Sequence, residues 1–351
     1  MYYYMYTKIC MFVLVLELMI LLVTHGARAP KSSLNTTCLE DGNVYLGAPP
    51  TDGLLIDAYK DSCPDAESII FSRVENAVLN DPRMAASLLR LHFHDCFVNG
   101  CDASVLLDDT GNFVGEKTAA PNLNSLRGFE VIDAIKSELE SLCPGIVSCA
   151  DILAVAARDS VLVSNGPGWE VQTGRRDSLS ASKSAANTNI PGPNSTAQTL
   201  VNMFQNVGLS ITDMVALSGA HTLGKARCSS FNSRLQTSKG DINIDFLQTL
   251  QQLCLVSNSN TNNIVADLDL VTPSTFDNQY YVNLLSGEGL LPSDQVLLGG
   301  DNDQTGEIVR SYAEDEGAFF DDFIEAMLKM GSIGVLTDNS GEIRRNCRVI
   351  N

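Results

Sequence analysis

Ten cysteines spread along a chain of 351 residues constrain its fold more than any other sequence feature. A cytosolic enzyme rarely keeps so many thiols, so they predict a framework of disulfide bonds and an oxidising compartment. Cys10 and Cys38 lie near the amino terminus, and the other eight lie between residues 63 and 347. Because eight cysteines allow about a hundred pairings, their number alone does not select a connectivity.

The amino terminus has the layout of a secretory signal. Lys8 precedes an apolar run from Met11 to Val23 that is interrupted only by Glu17, and small residues follow it. The run is shorter than the roughly 20 residues that a membrane-spanning helix needs. A signal peptide is therefore favoured over a membrane anchor, and it predicts secretion to the extracellular space, the cell wall or apoplast.

Composition and charge limit the class of protein further. Hydrophobic residues make up 44% of the chain and charged residues 19%, which is typical of a globular protein. A formal net charge of −19 argues against a nucleic-acid binder or a partner for anionic membranes. We expect a monomer with no nucleic-acid partner and, once the signal is removed, no membrane partner. The predicted parts are a signal peptide over 1–29, a flexible extension over 30–52 and one domain over 53–351.

Apolar spacing beyond residue 54 is mostly helical, and strand patterns are few. The predicted fold class is therefore mostly α. Helices are predicted over 65–79, from 81 through 91, and over 129–142, 150–163, 196–207, 211–217 and 319–330. Clusters of Gly, Pro, Asn and Ser predict loops at 110–125, 164–168, 179–195 and 256–263. The acidic segment 301–322 is predicted to be a solvated face.

Three histidines lie beyond the predicted signal, and two of them are close together. Arg90 and His94 are four residues apart on a predicted helix, so they lie on one face about one turn apart. His92 points elsewhere. A fixed cation beside a neutral imidazole suits acid–base chemistry. From the residues alone, two other interpretations stay open: a zinc site at His92, His94 and Cys96, or histidines buried in the core.

Two oxygen-rich segments flank the histidines. One follows His94 and spans residues 95–104, and the other spans residues 269–277. Carboxylates, carbonyls and hydroxyls in flexible loops suit Ca²⁺ better than zinc. Turn formation and helix capping also explain many such residues, so spacing alone is a weak indication.

Several motifs resemble those of secretory (class III) plant peroxidases. Residues 90–97 (RLHFHDCF) and 217–224 (LSGAHTLG) resemble the distal and proximal haem signatures of that family. Further motifs follow in the family's order at 148–153, 168–169, 174–177, 276–281 and 346–348. The resemblance covers roughly residues 54–351. It implies a haem peroxidase fold with distal and proximal helical halves enclosing one haem b and with very little β structure. It favours haem over the zinc and core interpretations of His94 and His221.

The resemblance also implies which residues hold the haem. His221 matches the axial ligand of the iron, and Asp294 matches the carboxylate that accepts the other ring N–H of that histidine. Such a pairing raises the basicity of the ligand. Ser125 is implied to lie against the haem.

The distal residues are implied to act on hydrogen peroxide. His94 matches the base that moves a peroxide proton, and Arg90 matches the residue that stabilises charge as the O–O bond breaks. Asn122 matches the residue that holds His94 in the useful tautomer, with Glu116 behind it. Pro191 matches the position that orients the reducing substrate.

Two Ca²⁺ sites and four disulfides are implied in the same way. The distal calcium site comprises Asp95, Val98, Gly100, Asp102 and Ser104, with Glu116 beside them. The proximal calcium site comprises Thr222, Asp269, Thr272, Thr275 and Asp277. The implied disulfides are Cys63–Cys143, Cys96–Cys101, Cys149–Cys347 and Cys228–Cys254. Cys38 matches no partner, and sequons at Asn35 and Asn194 are candidate glycosylation sites.

The resemblance implies a secreted peroxidase that oxidises phenolic donors in two one-electron steps. Cell-wall phenolic cross-linking, lignification and the oxidative stress response are the expected roles. Two alternatives belong to other classes: a haem- and calcium-binding wall protein with little turnover, and a hydrolase. The intact set of Arg90, His94 and Asn122 argues against the first, because binding alone needs no distal base. No Gly-x-Ser-x-Gly elbow supports the second.

Overall fold

A computed structural model describes residues 53–236, 242–255, 264–299 and 303–351 of the chain. The predicted signal, the predicted extension, Cys38 and the Asn35 sequon lie outside these residues, as does the predicted loop 256–263. Among the helices described, none is both long and apolar enough to cross a bilayer.

The described residues form a mostly helical fold, as the sequence predicts, with one small sheet. The helices are α1 (Ala66–Asn80), α2 (Arg83–Cys96), α3 (Phe129–Leu142), α4 (Cys149–Leu162), α5 (Lys183–Asn189), α6 (Ala197–Asn206), α7 (Ile211–Ser218), α8 (Cys228–Leu235), α9 (Ile244–Leu255), α10 (Gln279–Leu285), α11 (Pro292–Gln295), α12 (Gln304–Glu314) and α13 (Glu316–Gly331). Short 3₁₀ helices span Ser104–Leu106 and Gly219–Thr222. Strands β1 (Lys225–Arg227) and β2 (Val265–Asp267) pair antiparallel, with Ala226 opposite Ala266.

Capping side chains explain where several of the helices begin. Ser148 caps α4 by accepting the Asp151 N–H, and Ser210 begins α7 in a capping box with Asp213. One expectation is wrong: the predicted loop 179–195 contains α5. That helix forms because Ser182 accepts the N–H of Ala185 at its start. Turn-forming residues dominate the segment and hide this signal.

Two groups of helices pack around the main core. On one side α4 packs against both α2 and α1, and α3 packs against α1. On the other, α13 packs against α7, and α12 against α10. Helix α13 also contacts α2, which joins the two groups. A second, smaller core lies between α8, α9 and the β strands, around Phe231, Phe246 and Leu250.

Four disulfides fasten this framework, and they are the same four pairs that the resemblance implies. They join Cys63–Cys143, Cys96–Cys101, Cys149–Cys347 and Cys228–Cys254. The bond between Cys149 and Cys347 spans 198 residues and anchors the carboxy-terminal segment to the start of α4. In a chain-entropy picture, a loop of that length gives one of the larger gains from cross-linking.

Candidate active site and metal-binding clusters

Helix α2 carries both Arg90 and His94 in its last two turns. The guanidinium of Arg90 is held by the loop before α3. Its Nη2 donates to the carbonyl of Pro121 at 3.0 Å, and its Nη1 donates to the hydroxyl of Ser125 at 3.2 Å. The structure therefore places Ser125, predicted to lie against a haem, in direct contact with Arg90.

A hydrogen bond from the same loop orients the ring of His94. Its Nδ1 lies 2.6 Å from Oδ1 of Asn122, while Nδ2 of Asn122 donates to the backbone carbonyl of Glu116 at 3.0 Å. Because the amide nitrogen is committed to that carbonyl, Oδ1 is the acceptor and Nδ1 of His94 carries the proton. Nε2 is then the basic nitrogen. Glu116 supports Asn122 through its backbone, and its carboxylate accepts the Ser182 N–H.

Burial keeps the imidazole of His94 neutral. Its side chain is only 2% exposed, and this burial, followed by the nearby charge of Arg90, holds its pKa well below the usual range. Burial also lowers the pKa of Arg90 to about 10, and the charge of Arg227 adds to that effect. At neutral pH the pair is thus a neutral base beside a cation.

A zinc site at His92, His94 and Cys96 does not fit the structure. His92, Cys96 and Cys101 do lie close together, but both sulfurs belong to the Cys96–Cys101 disulfide and offer no thiolate. His94 is bonded to Asn122 instead. His92 is a buried neutral ring, with a pKa lowered to about 3 chiefly by burial and then by the charge of Arg175.

The third histidine belongs to a separate cluster. His221 lies in the 3₁₀ helix that follows α7, and its Nδ1 is 2.7 Å from Oδ1 of Asp294 in α11. The other oxygen of Asp294 accepts the backbone N–H of Leu291 at 3.0 Å. The carboxylate is 4% exposed, whereas the His221 side chain is 39% exposed. The accessible edge of the ring is therefore the one that carries Nε2.

This donor set fits a haem iron. A single imidazole presents Nε2, and a buried carboxylate fixes its tautomer by accepting the Nδ1–H, as is usual for a histidine that binds a metal. His94 could not serve equally well as the ligand, because its Nδ1 faces an amide rather than a carboxylate.

The oxygen-rich segment after His94 forms a buried cluster of carboxyl and hydroxyl groups, together with Glu116. Asp95, Asp102, Ser104 and Glu116 are each at most 5% exposed. The hydroxyl of Ser104 and Oε2 of Glu116 find no hydrogen-bond partner among the described residues. Burial raises the pKa of Asp95 well above its usual range, with Asp102 adding to the effect, and raises that of Glu116 to about 7. Such a set of buried oxygen atoms fits a hard cation, whose positive charge would compensate the negative charge of the buried carboxylates.

The loop that carries this cluster packs closely against the backbone of Gly334. Gly100 has a φ of +124°, and a Cβ there would lie 2.4 Å from the carbonyl oxygen of Gly334. Asp95 accepts the N–H of Ala103 at 2.8 Å, which folds the loop back onto α2. The carbonyl oxygens of Val98 and Gly100 belong to the predicted ligand set.

The second oxygen-rich segment converges on Thr222, next to His221. The hydroxyl of Thr222 donates to Oδ1 of Asp277 at 3.0 Å, and the hydroxyl of Thr272 reaches the same oxygen at 3.1 Å. The hydroxyl of Thr222 also lies 3.4 Å from Oδ2 of Asp269 and 3.5 Å from the carbonyl of Thr275. The structure thus brings all five predicted proximal residues together, and their oxygens also suit Ca²⁺.

The predicted donor-orienting residue, Pro191, is half-buried and lies just before an exposed turn. Pro191 precedes a turn in which Ser195 donates its N–H to the carbonyl of Gly192. The neighbouring Pro193 accepts the N–H of Ser293, which ties this turn to the segment that carries Asp294. Asn194, in the second sequon, is exposed in the same turn.

Sequence reasoning missed two buried contacts of these clusters. The hydroxyl of Tyr280 lies 3.3 Å from Oδ1 of Asp294, and Nδ2 of Asn283 donates to Oδ1 of Asp269 at 3.0 Å. Both residues are on α10, distant in sequence from their partners. The one sequence signal for them is the motif at 276–281, which contains Tyr280 and ends two residues before Asn283.

Comparison with known proteins agrees with this geometry. The peroxidase family model matches residues 70–315. Peroxidase 40 of Arabidopsis thaliana is 63% identical over 323 residues, which cover 89% of this chain and 91% of the relative. Peroxidase 9 of the same plant is 53% identical over 315 residues, covering 88% and 90%. Peroxidase 4 of Vitis vinifera is 54% identical over 294 residues, covering 84% and 90%.

The helical fold and the two histidine clusters define a haem peroxidase. Similarity over most of the chain sets the family: the protein belongs to the peroxidases, among the secretory (class III) plant enzymes. It is accordingly a hydrogen peroxide-dependent peroxidase, and the family implies haem as its cofactor. This assignment argues against the hydrolase and against the haem- and calcium-binding wall protein with little turnover. The roles of individual site residues remain predictions.

Proposed function

We propose that this peroxidase is secreted and oxidises small phenolic donors and wall phenolics, in cross-linking, lignification or the response to oxidative stress. The proposal includes one haem b, two Ca²⁺ ions, and a monomeric domain over residues 53–351 released from a signal peptide. The observation that carries it is the pairing of a neutral His94, bonded to Asn122, with Arg90 on one helix.

When bound, the haem supplies the two-electron reduction of peroxide and the two one-electron oxidations of donor. The chain's own residues prepare that chemistry. Nε2 of His94 takes a proton from peroxide and returns it to the departing oxygen. Arg90 stabilises the negative charge that develops between the two oxygens. His221 holds the iron while Asp294 keeps its Nδ1 proton engaged.

Three observations support action outside the cell. The apolar amino-terminal run suits a secretory signal, four disulfides suit an oxidising compartment, and the named relatives are secretory plant enzymes. A full-length chain with a fluorescent carboxy-terminal fusion, expressed in plant cells and plasmolysed, should label the wall. Retention inside the cell would contradict secretion. Sequencing the amino terminus of the secreted protein would locate the cleavage site.

The activity is tested by an absorption spectrum of the calcium-loaded enzyme before and after one equivalent of hydrogen peroxide. We expect a Soret band that changes with peroxide and returns when a phenol is added. A His94→Leu variant is the control, since it should keep the haem band and respond to peroxide at least a hundredfold more slowly. A band in the parent enzyme that does not respond to peroxide would overturn the proposed roles of Arg90 and His94.

Donor class is tested by comparing kcat/KM for a hydroxycinnamyl alcohol, a tyrosine ester and ascorbate. The proposal expects the phenols to be used well and ascorbate poorly. A preference for ascorbate would contradict the phenolic role.

A further inference from the structure

One oxygen of the Asp294 carboxylate, the group hydrogen-bonded to His221, accepts hydrogen bonds from two side chains. Oδ1 of Asp294 accepts from Nδ1 of His221 at 2.7 Å and from the phenol of Tyr280 at 3.3 Å. Among the residues that the structure describes, Oδ2 accepts one hydrogen bond, from the backbone N–H of Leu291 at 3.0 Å. In the contact between Tyr280 and Asp294, the phenol O–H of Tyr280 donates and the carboxylate oxygen accepts.

Tyr280 is built into this position by the fold. It lies in the first turn of α10, is 3% exposed, and stands edge-on to the ring of His221 with 6.2 Å between the ring centroids. Its other ring neighbour is Tyr281, at 5.0 Å. The phenol oxygen is therefore held away from water with the Asp294 carboxylate as its hydrogen-bond acceptor.

We propose that Tyr280 is a positioning residue that limits how strongly Asp294 attracts the Nδ1 proton of His221. This rests on the proposed role of His221 as the iron ligand. Two donors on one oxygen share its electron density, so each hydrogen bond is weaker than it would be alone. The Nδ1–H of His221 is then held less firmly, and Nε2 is a weaker electron donor.

A weaker hydrogen bond at Nδ1 of His221 changes the reduction potential of the iron that this histidine would bind. A histidine with more imidazolate character stabilises ferric over ferrous iron and binds it with a stiffer bond. By weakening that character, Tyr280 raises the reduction potential of the haem. The hydrogen bond between His221 and Asp294 thus lowers the reduction potential of the haem. The hydrogen bond from Tyr280 to Asp294 partly offsets that decrease.

The test is Tyr280→Phe, measured in the haem-loaded enzyme by redox titration and by the iron–histidine stretching vibration of the ferrous form. We expect the midpoint potential to fall, so that the ferric-to-ferrous ratio at a fixed applied potential rises about threefold. The stretching frequency should rise as well. Neither the midpoint potential nor the stretching frequency depends on turnover, so a slow enzyme would not give the same result.

Tyr281→Phe is the matched control. Tyr281 is the adjacent residue, is fully buried, and donates to the backbone carbonyls of Val215 at 2.9 Å and Ala216 at 3.2 Å rather than to Asp294. This variant removes the same atom from the same helix without touching the carboxylate. Its potential and stretching frequency should match those of the parent enzyme.

A third variant separates failure of this inference from failure of the proposed function. Asp294→Asn weakens the acceptor itself, so it should raise the potential and lower the stretching frequency. If it does so while Tyr280→Phe behaves like Tyr281→Phe or shifts upwards, the role of Tyr280 is overturned. If Asp294→Asn also changes neither readout, His221 is not the iron ligand and the proposed site itself is wrong.

Discussion

Oδ1 of Asn122 lies 2.6 Å from Nδ1 of His94, and the amide that carries it is fixed by its bond to the carbonyl of Glu116. This short chain of contacts decides which ring nitrogen is basic. It also links the distal base to the loop that contributes Glu116 to the buried oxygen cluster.

Replacing the acceptor should therefore slow the reaction with peroxide. In Asn122→Val the ring of His94 loses its partner and samples both tautomers and other orientations. We expect the second-order rate constant for peroxide to fall at least tenfold, with little change in haem content. Stopped-flow absorption of the purified enzyme measures it. An unchanged rate would show that Asn122 does not orient the base.

The companion variant Asn122→Asp keeps an acceptor but adds a negative charge beside the ring. That charge favours the imidazolium form and raises the pKa of His94. The acid limb of the pH–rate profile should accordingly move to higher pH than in the parent enzyme. A limb that stays in place would contradict the geometry described here.

Removing calcium should disturb catalysis as well as stability. Asp95 follows His94 directly, and Thr222 follows His221, so each cluster is one residue from a histidine with a proposed role at the haem. After prolonged chelation we expect a changed Soret spectrum, a peroxide rate reduced several-fold and a lower Tm, all restored by adding Ca²⁺. Chelation that removes the metal without changing rate or spectrum would refute the coupling.

Arg344 should be a main support of the carboxy-terminal segment. It is fully buried and donates to the carbonyls of Ala103 at 2.8 Å, Cys347 at 3.2 Å and Ser178 at 2.6 Å. Arg344→Gln leaves some of these carbonyls unpaired, so the free energy of unfolding should fall by about 3 kcal/mol. Urea denaturation measures it. The adjacent exposed Arg345, changed to Gln, should alter stability by less than about 0.5 kcal/mol.

Asp159 should give a pH-dependent stability. Its side chain is buried, Oδ2 has no hydrogen-bond partner among the described residues, and burial raises its pKa to about 6 despite the charge of Arg158. The native state then binds the proton more tightly than the unfolded state, so this contribution is present below pH 4 and is lost as pH rises through 6.

Asp159→Asn removes that dependence. The stability of the parent enzyme relative to the variant should fall by up to about 3 kcal/mol between pH 4 and pH 7. Both proteins would be unfolded by urea at each pH with saturating Ca²⁺. A difference that is constant across the range would show that Asp159 is not a strained buried carboxyl.

Local sequence signals predicted much of the helical framework. Periodicity and flanking residues placed α3 at its observed bounds and α1 within a residue. They failed for α5, where Asn, Thr and Ser masked a capped helix. They also gave no bounds for α8 to α12, all of which lie between the predicted helices 211–217 and 319–330.

By itself, the sequence determined the chemistry available to this protein. It supplied Arg90 and His94 one turn apart, a third histidine among small residues, two oxygen-rich loops and a surplus of cysteines. Helical periodicity and capping are local properties, so they can be read from neighbouring residues. The motifs that carry the family resemblance are likewise short runs of neighbouring residues.

Only tertiary packing brings those groups to their partners; the family resemblance implied the partners of His94 and His221, but local spacing did not. The acceptor of His94 comes from 28 residues away and that of His221 from 73. The phenol of Tyr280 and the carbonyl of Glu116 enter these contacts because buried polar groups must find partners wherever packing brings them. Such pairings depend on how α2, α10 and α11 are packed, and no spacing along the chain encodes them.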